Sequence, residues 1–285
     1  MALNARSISY STRFTPVKRF DDALHDLKSS DLSEPTVFPK RFTNLPAISK
    51  WFTRLDCPSD HGTHYSPDLL YLGRHGSLMV PLEVTRYHAV EAFGAKTEMR
   101  TSSFEHIEAP LSLLLSSIMS EDDSQKLYLA QYSLDDLPSE LRNDLPVPEL
   151  VTRIWRGDIY ASSLWMGRPP TSTPLHRDPN PNLFVQLVGK KVIRLMTPRQ
   201  GRALYEILRT SKGHAHMRGE EMMVGEERDR LQKAVWNEEK LDGVAVGGFE
   251  ATLEGGDGLY IPLGWWHAVQ SYGALANASV NWWFR

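Results

Sequence analysis

The sequence lacks the features that define several large protein classes. It has one cysteine in 285 residues, Cys57, so an intrachain disulfide and a zinc site built from cysteines are both excluded. Its N-terminal residues lack the apolar core of a secretion signal. The longest apolar run, Leu111–Met119, is about half as long as the ~18 residues that a membrane span needs. We therefore expect an intracellular protein, in the cytoplasm, the nucleus or both, without a membrane partner.

Basic residues show no excess either, because 32 lysines and arginines face 35 aspartates and glutamates, for a net charge of −3. Nucleic-acid-binding proteins usually carry clustered basic residues that neutralise phosphates. The balance therefore argues against a nucleic-acid partner, although a local basic patch would remain compatible with one. Hydrophobic residues make up 41% of the chain and charged residues 24%, which is typical of a folded globular protein.

The secondary-structure signals change near residue 125. Residues 1–125 are predicted to be mixed and mostly helical, with helix-like apolar spacing at Leu45–Leu55 and Ala109–Ser120. In 126–285, short apolar or alternating runs are separated by clusters of Gly, Pro, Asn and Asp, which is typical of a sandwich or barrel. A polar, helix-prone stretch at about 199–248 is too long for a plain loop and is predicted to be an insertion on one edge of the barrel. We therefore predict an N-terminal region packed on a mainly β domain.

The strongest chemical signal lies in TSTPLHRDPNPN (Thr171–Asn182). His176 and Asp178 are two residues apart, and on a strand residues i and i+2 project to the same face. A second imidazole can come from His267, 89 residues after Asp178 (267 − 178), in the strand-like run GLYIPLGWWHAV. Two histidines and one carboxylate on one face of a metal form the facial triad of non-haem iron(II) oxygenases, which leaves positions open for co-substrate and O₂. An isolated HxD motif seldom binds metal, so the prediction depends on the combination.

A candidate anchor for the carboxylate of a 2-oxoglutarate co-substrate lies in KKVIRLMTP. Lys191 shares one strand face with Ile193 and Leu195, while Lys190 and Arg194 share the opposite face. The apolar set predicts that Lys191 faces the barrel interior, where an unpaired ammonium is costly. A ligand carboxylate would be a natural partner, and a lysine that extends to solvent is the alternative.

Several separated segments carry a further signal: TPLHRDPNPNLFVQLVGKKVIRLMTP, EGGDGLYIPLGWWHAV and SVNWWF. In order and spacing they resemble the JmjC-domain oxygenases, and in particular the hydroxylase branch. That branch includes the arginyl-hydroxylase group and the asparaginyl hydroxylase that inhibits hypoxia-inducible factor. VPLEVTRY (Val80–Tyr87) and KLYLAQYSLDDLP (Lys126–Pro138) look similar to the arginyl-hydroxylase group. The resemblance fails over roughly 201–247.

The resemblance implies a fold and a set of residue roles. The fold would be α+β but mainly β, a double-stranded β-helix (the jelly-roll or cupin-like JmjC barrel) with N-terminal helices and a helical insertion. The three triad residues would bind iron(II), and Lys191 would bind the 2-oxoglutarate carboxylate. The other residues implied near the co-substrate are Thr173, Tyr128, Asn182 and Asn281. The residues implied to line an arginine pocket are Glu83 and Trp165.

The implied activity is that of a dioxygenase that uses iron(II), 2-oxoglutarate and O₂. It would hydroxylate a side chain in a protein or peptide, with arginine as the first candidate, and release succinate and CO₂. Three alternatives stay open: a histone N-methyl-lysine demethylase, a hydroxylase of a small molecule or modified tRNA base, and a non-catalytic JmjC-like binding module. The sequence ends almost directly after the last predicted strand, with no helical dimerisation segment, which predicts a monomer.

Overall fold

A computed structural model describes residues 13–22, 27, 32–56, 63–92, 96–154, 158–212, 226–237 and 245–285. Sixteen strands lie in these ranges: β1 (Phe14–Pro16), β2 (Lys18–Arg19), β3 (Thr36–Phe38), β4 (Phe52–Asp56), β5 (Thr63–Pro67), β6 (Met79–Ala92), β7 (Lys96–Pro110), β8 (Gln125–Ser133), β9 (Ile159–Gly167), β10 (Ser172–Arg177), β11 (Asn182–Val188), β12 (Lys190–Met196), β13 (Gly248–Glu254), β14 (Gly258–Ile261), β15 (Trp266–Tyr272) and β16 (Asn277–Phe284). The α-helices of the same ranges are α1 (Pro46–Lys50), α2 (Leu111–Met119), α3 (Ser139–Asn143), α4 (Glu149–Ile154), α5 (Pro198–Lys212) and α6 (Glu226–Trp236). Among these described helices, none has the length and apolar character to cross a membrane.

Two large sheets pack on each other. One has nine strands in the order β2-β3-β14-β11-β16-β9-β8-β6-β7, and the other has five in the order β1-β13-β12-β15-β10. Phe184 and Leu259 of the nine-stranded sheet share a buried cluster with Ile193, Leu195 and Val269 of the five-stranded sheet. Strands distant in sequence are neighbours in both sheets, as in a jelly roll. The prediction of a double-stranded β-helix is therefore confirmed.

Alternation along β12 sets the direction of its charged side chains. Ile193 and Leu195 lie in the cluster between the sheets, and Lys191 shares their face and is buried with them. The predicted inward direction of Lys191 agrees with this arrangement. Arg194 lies on the opposite face and is also buried, because it pairs with Glu250 at 2.8 Å and donates to a backbone carbonyl near the end of α6.

The N-terminal part of the chain differs from its prediction. Over 1–125, the expectation of mostly helical structure is wrong for the described residues, which contain seven strands and only the two α-helices α1 and α2. β6 joins the nine-stranded sheet because it pairs with β7 on one side and with β8 on the other. The predicted helix Ala109–Ser120 corresponds to α2, whereas Leu45–Leu55 splits into α1 and β4, which pairs with β5. Pairing with neighbouring strands overrides weak local helix propensity in these segments.

The predicted helical insertion at about 199–248 contains α5 and α6. Leu204 of α5 and Leu231 of α6 share a buried cluster with Leu175 of β10 and Trp266 of β15. The two helices therefore cover the outer face of the five-stranded sheet, behind the strands that carry the predicted histidine ligands.

Candidate metal centre and co-substrate site

The predicted triad is brought together at the start of β15 and the end of β10. These strands are antiparallel neighbours, and His176 and His267 lie directly opposite each other, with ring centroids 4.2 Å apart. β10 ends at Arg177, so Asp178 follows the strand instead of lying within it. Its carboxylate oxygens are 3.8 Å from Nε2 of His176 and 3.6 Å from Nε2 of His267. The ligand atoms of the three residues lie within 4.8 Å of one another, so they can hold one metal ion.

Hydrogen bonds orient two of these ligands. Nδ1 of His176 is 2.8 Å from the carbonyl oxygen of Pro174. A proton on Nδ1 donates to this carbonyl and leaves the Nε2 lone pair for a metal, which is the usual arrangement of a ligating histidine. Asn182 donates to Oδ2 of Asp178 over 2.8 Å, and Asn281 donates in turn to Oδ1 of Asn182 over 2.9 Å. Both asparagines, predicted near the co-substrate, therefore support the carboxylate of the triad.

The electrostatics of the triad suit a cation. Burial by itself would raise the pKa of Asp178, but the imidazoles of His267 and His176 outweigh it and lower that pKa below its ordinary value. The hydrogen bond from Asn182 acts in the same direction. Burial lowers the pKa of His267 to about 4. Near neutral pH the site therefore offers a carboxylate and, at His267, a neutral imidazole, which are the protonation states that metal ligands need.

A second charged group lies buried on the inner face of β12. Nζ of Lys191 contacts Oγ of Ser279 at 2.7 Å and the hydroxyl of Tyr128 at 3.4 Å. Burial lowers the pKa of Lys191 to about 7. Among the described residues, no carboxylate forms an ion pair with it. A buried ammonium without an anion is unfavourable, so the surroundings of Lys191 fit the carboxylate of a ligand.

Ser279 and Thr171 were not predicted. Ser279 lies two residues before Asn281 on β16, so strand alternation from that asparagine could have identified it. Thr171 hydrogen-bonds with Tyr128 and gives no local signal, since a single threonine beside a strand is common. The hydroxyl residue that was predicted, Thr173, is paired with Val269 across β10 and β15.

The two residues predicted to bind a substrate lie on either side of Tyr128. Glu83 is opposite Tyr128 in the pairing of β6 with β8, and its Oε1 is 3.7 Å from Nε2 of His106. Burial raises the pKa of Glu83, and His106 partly opposes that rise. The ring of Trp165 is 6.2 Å from that of Tyr128, and within the described part of the chain its buried indole N–H has no hydrogen-bond acceptor. A desolvated acid and an available N–H donor therefore flank the tyrosine that contacts Lys191.

Comparison with known proteins identifies the family. A family model described as a cupin-like domain matches residues 29–285, and several curated relatives are JmjC proteins. The chain belongs to the cupin-like JmjC family. Proteins of this JmjC family depend on iron(II) and 2-oxoglutarate, and the His-Asp-His triad of this member can bind iron. Two imidazoles and one carboxylate, with the remaining coordination positions open, are the donor set expected for such an iron site.

The relatives of this JmjC protein carry names that refer to different activities, as three of them illustrate. Lysine-specific demethylase JMJ30 from Arabidopsis thaliana is 33% identical over 55% of this chain and 33% of the relative. Jumonji C domain-containing protein 5 from Drosophila melanogaster is 26% identical over 90% of this chain and 56% of the relative. The bifunctional peptidase and (3S)-lysyl hydroxylase JMJD7 from Homo sapiens is 27% identical over 61% of this chain and 58% of the relative. The matches thus span between one third and somewhat over half of the relatives' lengths.

Proposed function

We propose that this JmjC protein is an iron(II)- and 2-oxoglutarate-dependent dioxygenase that hydroxylates a protein side chain, with arginine as the first candidate. The observation that carries the proposal is the buried ammonium of Lys191, which has no carboxylate partner among the described residues and lies on the same inner surface as the triad. β16 links the two groups. Its Ser279 contacts Lys191, and its Asn281 contacts Asn182, which holds Asp178. A dicarboxylate that bound a metal at one end would therefore have a cation for the other end.

The residues of the chain divide the work of binding and orientation. When bound, iron(II) and 2-oxoglutarate would activate O₂, which is the oxidant of the reaction. His176, Asp178 and His267 would hold the metal, with Asn182 keeping the carboxylate in place. Lys191 would hold the distal carboxylate of the co-substrate through a charge-assisted hydrogen bond. The packed inner faces of the two sheets would limit access of water to the reacting atoms.

The side chains around Tyr128 favour a cationic substrate. Glu83 is mostly buried, and a buried carboxylate is stabilised by a cation in close contact. A guanidinium group can pair with it through two hydrogen bonds and can also stack on the ring of Trp165. These features support arginine as the substrate side chain.

A lysine-specific demethylase is the second candidate. The name of the Arabidopsis relative JMJ30 favours it, and a protonated methyl-lysine would also complement the charge of Glu83. The human relative JMJD7 is named as a lysyl hydroxylase, which makes unmodified lysine a further side chain to test.

Mass spectrometry of peptides can separate these candidates. Peptides that contain arginine, lysine or N-methyl-lysine would be incubated with the protein, iron(II) and 2-oxoglutarate. We expect arginine peptides to gain one oxygen atom. Loss of methyl groups from N-methyl-lysine, with arginine unchanged, would replace the proposal by the demethylase. Oxygen gain on lysine alone would assign the site to lysyl hydroxylation.

A further inference from the structure

The insertion helices contact the back of both strands that carry the histidine ligands. His267 points into the site, whereas its neighbours Trp266 and Ala268 lie in the outer cluster with side chains of α5 and α6. Leu175, next to His176 on β10, lies in the same cluster. Because side chains alternate along a strand, any movement of the outer residues would be transmitted to the adjacent ligand.

The tightest of these contacts joins α5 to the indole of Trp266. A Cβ atom at Gly201 would lie 2.1 Å from Cγ and Cδ1 of Trp266 and 2.5 Å from its Nε1. Real Cβ atoms essentially never approach other heavy atoms below 3.0 Å, so either the helix or the indole would have to shift. Any side chain at position 201 would therefore disturb the packing of α5 on β15.

Backbone conformation does not account for this glycine. Gly201 lies within α5, and its N–H donates to the carbonyl of Thr197 over 3.0 Å, as in an ordinary helix. Glycine inside a helix costs about 1 kcal/mol relative to alanine. The close approach of the indole is the feature of the structure that explains glycine at this position.

Further contacts hold the same outer face. The ring of Tyr205 on α5 lies 6.1 Å from that of Trp266, and the guanidinium of Arg177 lies 5.9 Å from the same indole. Ser172 at the start of β10 donates to Gln232 of α6 over 3.3 Å. Both strands that carry histidine ligands are thereby attached to the insertion, β15 through Trp266 and β10 through Ser172 and Leu175.

We propose that the α5–α6 insertion positions the metal ligands, and that Gly201 and Trp266 are positioning residues for His267. Gly201 allows the indole to lie directly against α5, which fixes the backbone at Trp266 and so the direction of the next side chain. A displaced indole would move Nε2 of His267 away from Asp178, from which it is now 3.6 Å. The inference rests on the metal-binding role proposed above.

Binding of Co(II) to the full chain, followed by its visible absorption, tests the inference without an activity assay. Gly201→Ala is expected to weaken Co(II) binding about ten-fold or more, since groups that orient metal ligands typically contribute 10- to 100-fold to affinity. The matched control is Ala203→Gly, at an exposed position of the same helix. If helix propensity alone determined Co(II) affinity, Gly201→Ala would stabilise α5 and Ala203→Gly would destabilise it. If the contact with Trp266 determines Co(II) affinity, Gly201→Ala is the variant that loses it. We expect Ala203→Gly to bind Co(II) as the wild type does.

A double variant tests the contact itself. Trp266→Ala removes Cγ and Cδ1, the atoms that a Cβ at Gly201 would meet, and should by itself weaken Co(II) binding, because the indole no longer rests on Gly201. In the Trp266→Ala background the methyl group added by Gly201→Ala meets no ring, so the double variant should bind Co(II) no more weakly than Trp266→Ala alone. Such non-additive effects are expected for residues in contact.

Equal Co(II) affinity of Gly201→Ala and the wild type would overturn the inference. If circular dichroism shows that Gly201→Ala does not fold, Trp266→Ala carries the test, and wild-type affinity in that variant would overturn the inference. A wild-type protein that binds no Co(II) would contradict the proposed metal site as well, which separates failure of the proposed function from failure of the positioning role.

Discussion

The pH dependence of 2-oxoglutarate binding offers a quantitative test of the role of Lys191. Burial lowers the pKa of this lysine from 10.5 to about 7, so the protein without ligand loses the charge as the pH rises through neutrality. A ligand carboxylate beside Lys191 stabilises its charged ammonium form. The carboxylates of 2-oxoglutarate themselves stay ionised near neutral pH, so they take up no proton on binding. Binding above pH 7 must therefore be accompanied by uptake of one proton. The affinity should be highest below pH 7 and should fall as the pH rises above it.

The size of the effect follows from the pKa. The difference between 10.5 and about 7 corresponds to roughly 5 kcal/mol against the charged form, at 1.36 kcal/mol per unit, and part of this is recovered when a carboxylate binds. With a pKa of about 7, Lys191 is about 90% charged at pH 6 and about 10% charged at pH 8. The dissociation constant of 2-oxoglutarate should therefore be about ten-fold larger at pH 8, equivalent to about 1.4 kcal/mol.

Isothermal titration calorimetry of 2-oxoglutarate into protein saturated with Co(II) measures this dependence. Two buffers with different ionisation enthalpies would report the number of protons taken up at pH 8. Lys191→Arg keeps its charge at both pH values, so its affinity should not depend on pH, and Lys191→Met should bind weakly at both. An affinity of the wild type that is equal at pH 6 and pH 8 would refute the reasoning. The same slope in Lys191→Arg would refute it as well.

Two further predictions concern groups outside the triad. Glu83→Gln should raise KM for a cationic peptide roughly ten-fold or more, with a smaller effect on kcat, because a charge-assisted contact is lost. The control Glu108→Gln, at an exposed position of β7, should leave steady-state kinetics unchanged. Equal KM values in the two variants would count against the substrate site. Asp144→Ala should lower the free energy of unfolding in urea by about 3 kcal/mol. The reason is that the buried carboxylate accepts hydrogen bonds from Trp51 at 2.9 Å and Tyr71 at 2.5 Å. An unchanged unfolding midpoint would contradict this prediction.

The triad could be predicted because its signal combines local spacing with a distant motif. The spacing of His176 and Asp178 points to one face, although the carboxylate lies just beyond β10 and is held by Asn182 instead of by strand geometry. That His267 lies opposite His176 follows only from the pairing of β10 with β15, which local sequence rules do not give. Family motifs supplied that information. The inward direction of Lys191 followed from strand alternation alone.

The remaining features depend on long-range contacts and were therefore missed. Pro81 lies in β6, inside the nine-stranded sheet, although a proline usually marks an edge or bulged strand. The pairing of β6 with β8 begins only at Glu83, so the proline occupies a stretch where β7 is the one paired neighbour. Ser279 is a small neutral residue whose importance appears only when Lys191 is seen beside it. The reason for glycine at Gly201 likewise appears only when α5 is packed on Trp266.

Succinate formation from 2-oxoglutarate is the most direct test of the central claim, that the triad holds iron(II) beside a co-substrate. The assay would contain iron(II), O₂ and the peptide set described above, with His176→Ala and Asp178→Ala as variants and circular dichroism to confirm that each is folded. We expect the wild type to form succinate and both variants to form none above background. Unchanged succinate formation in either folded variant would contradict the assignment of the metal site.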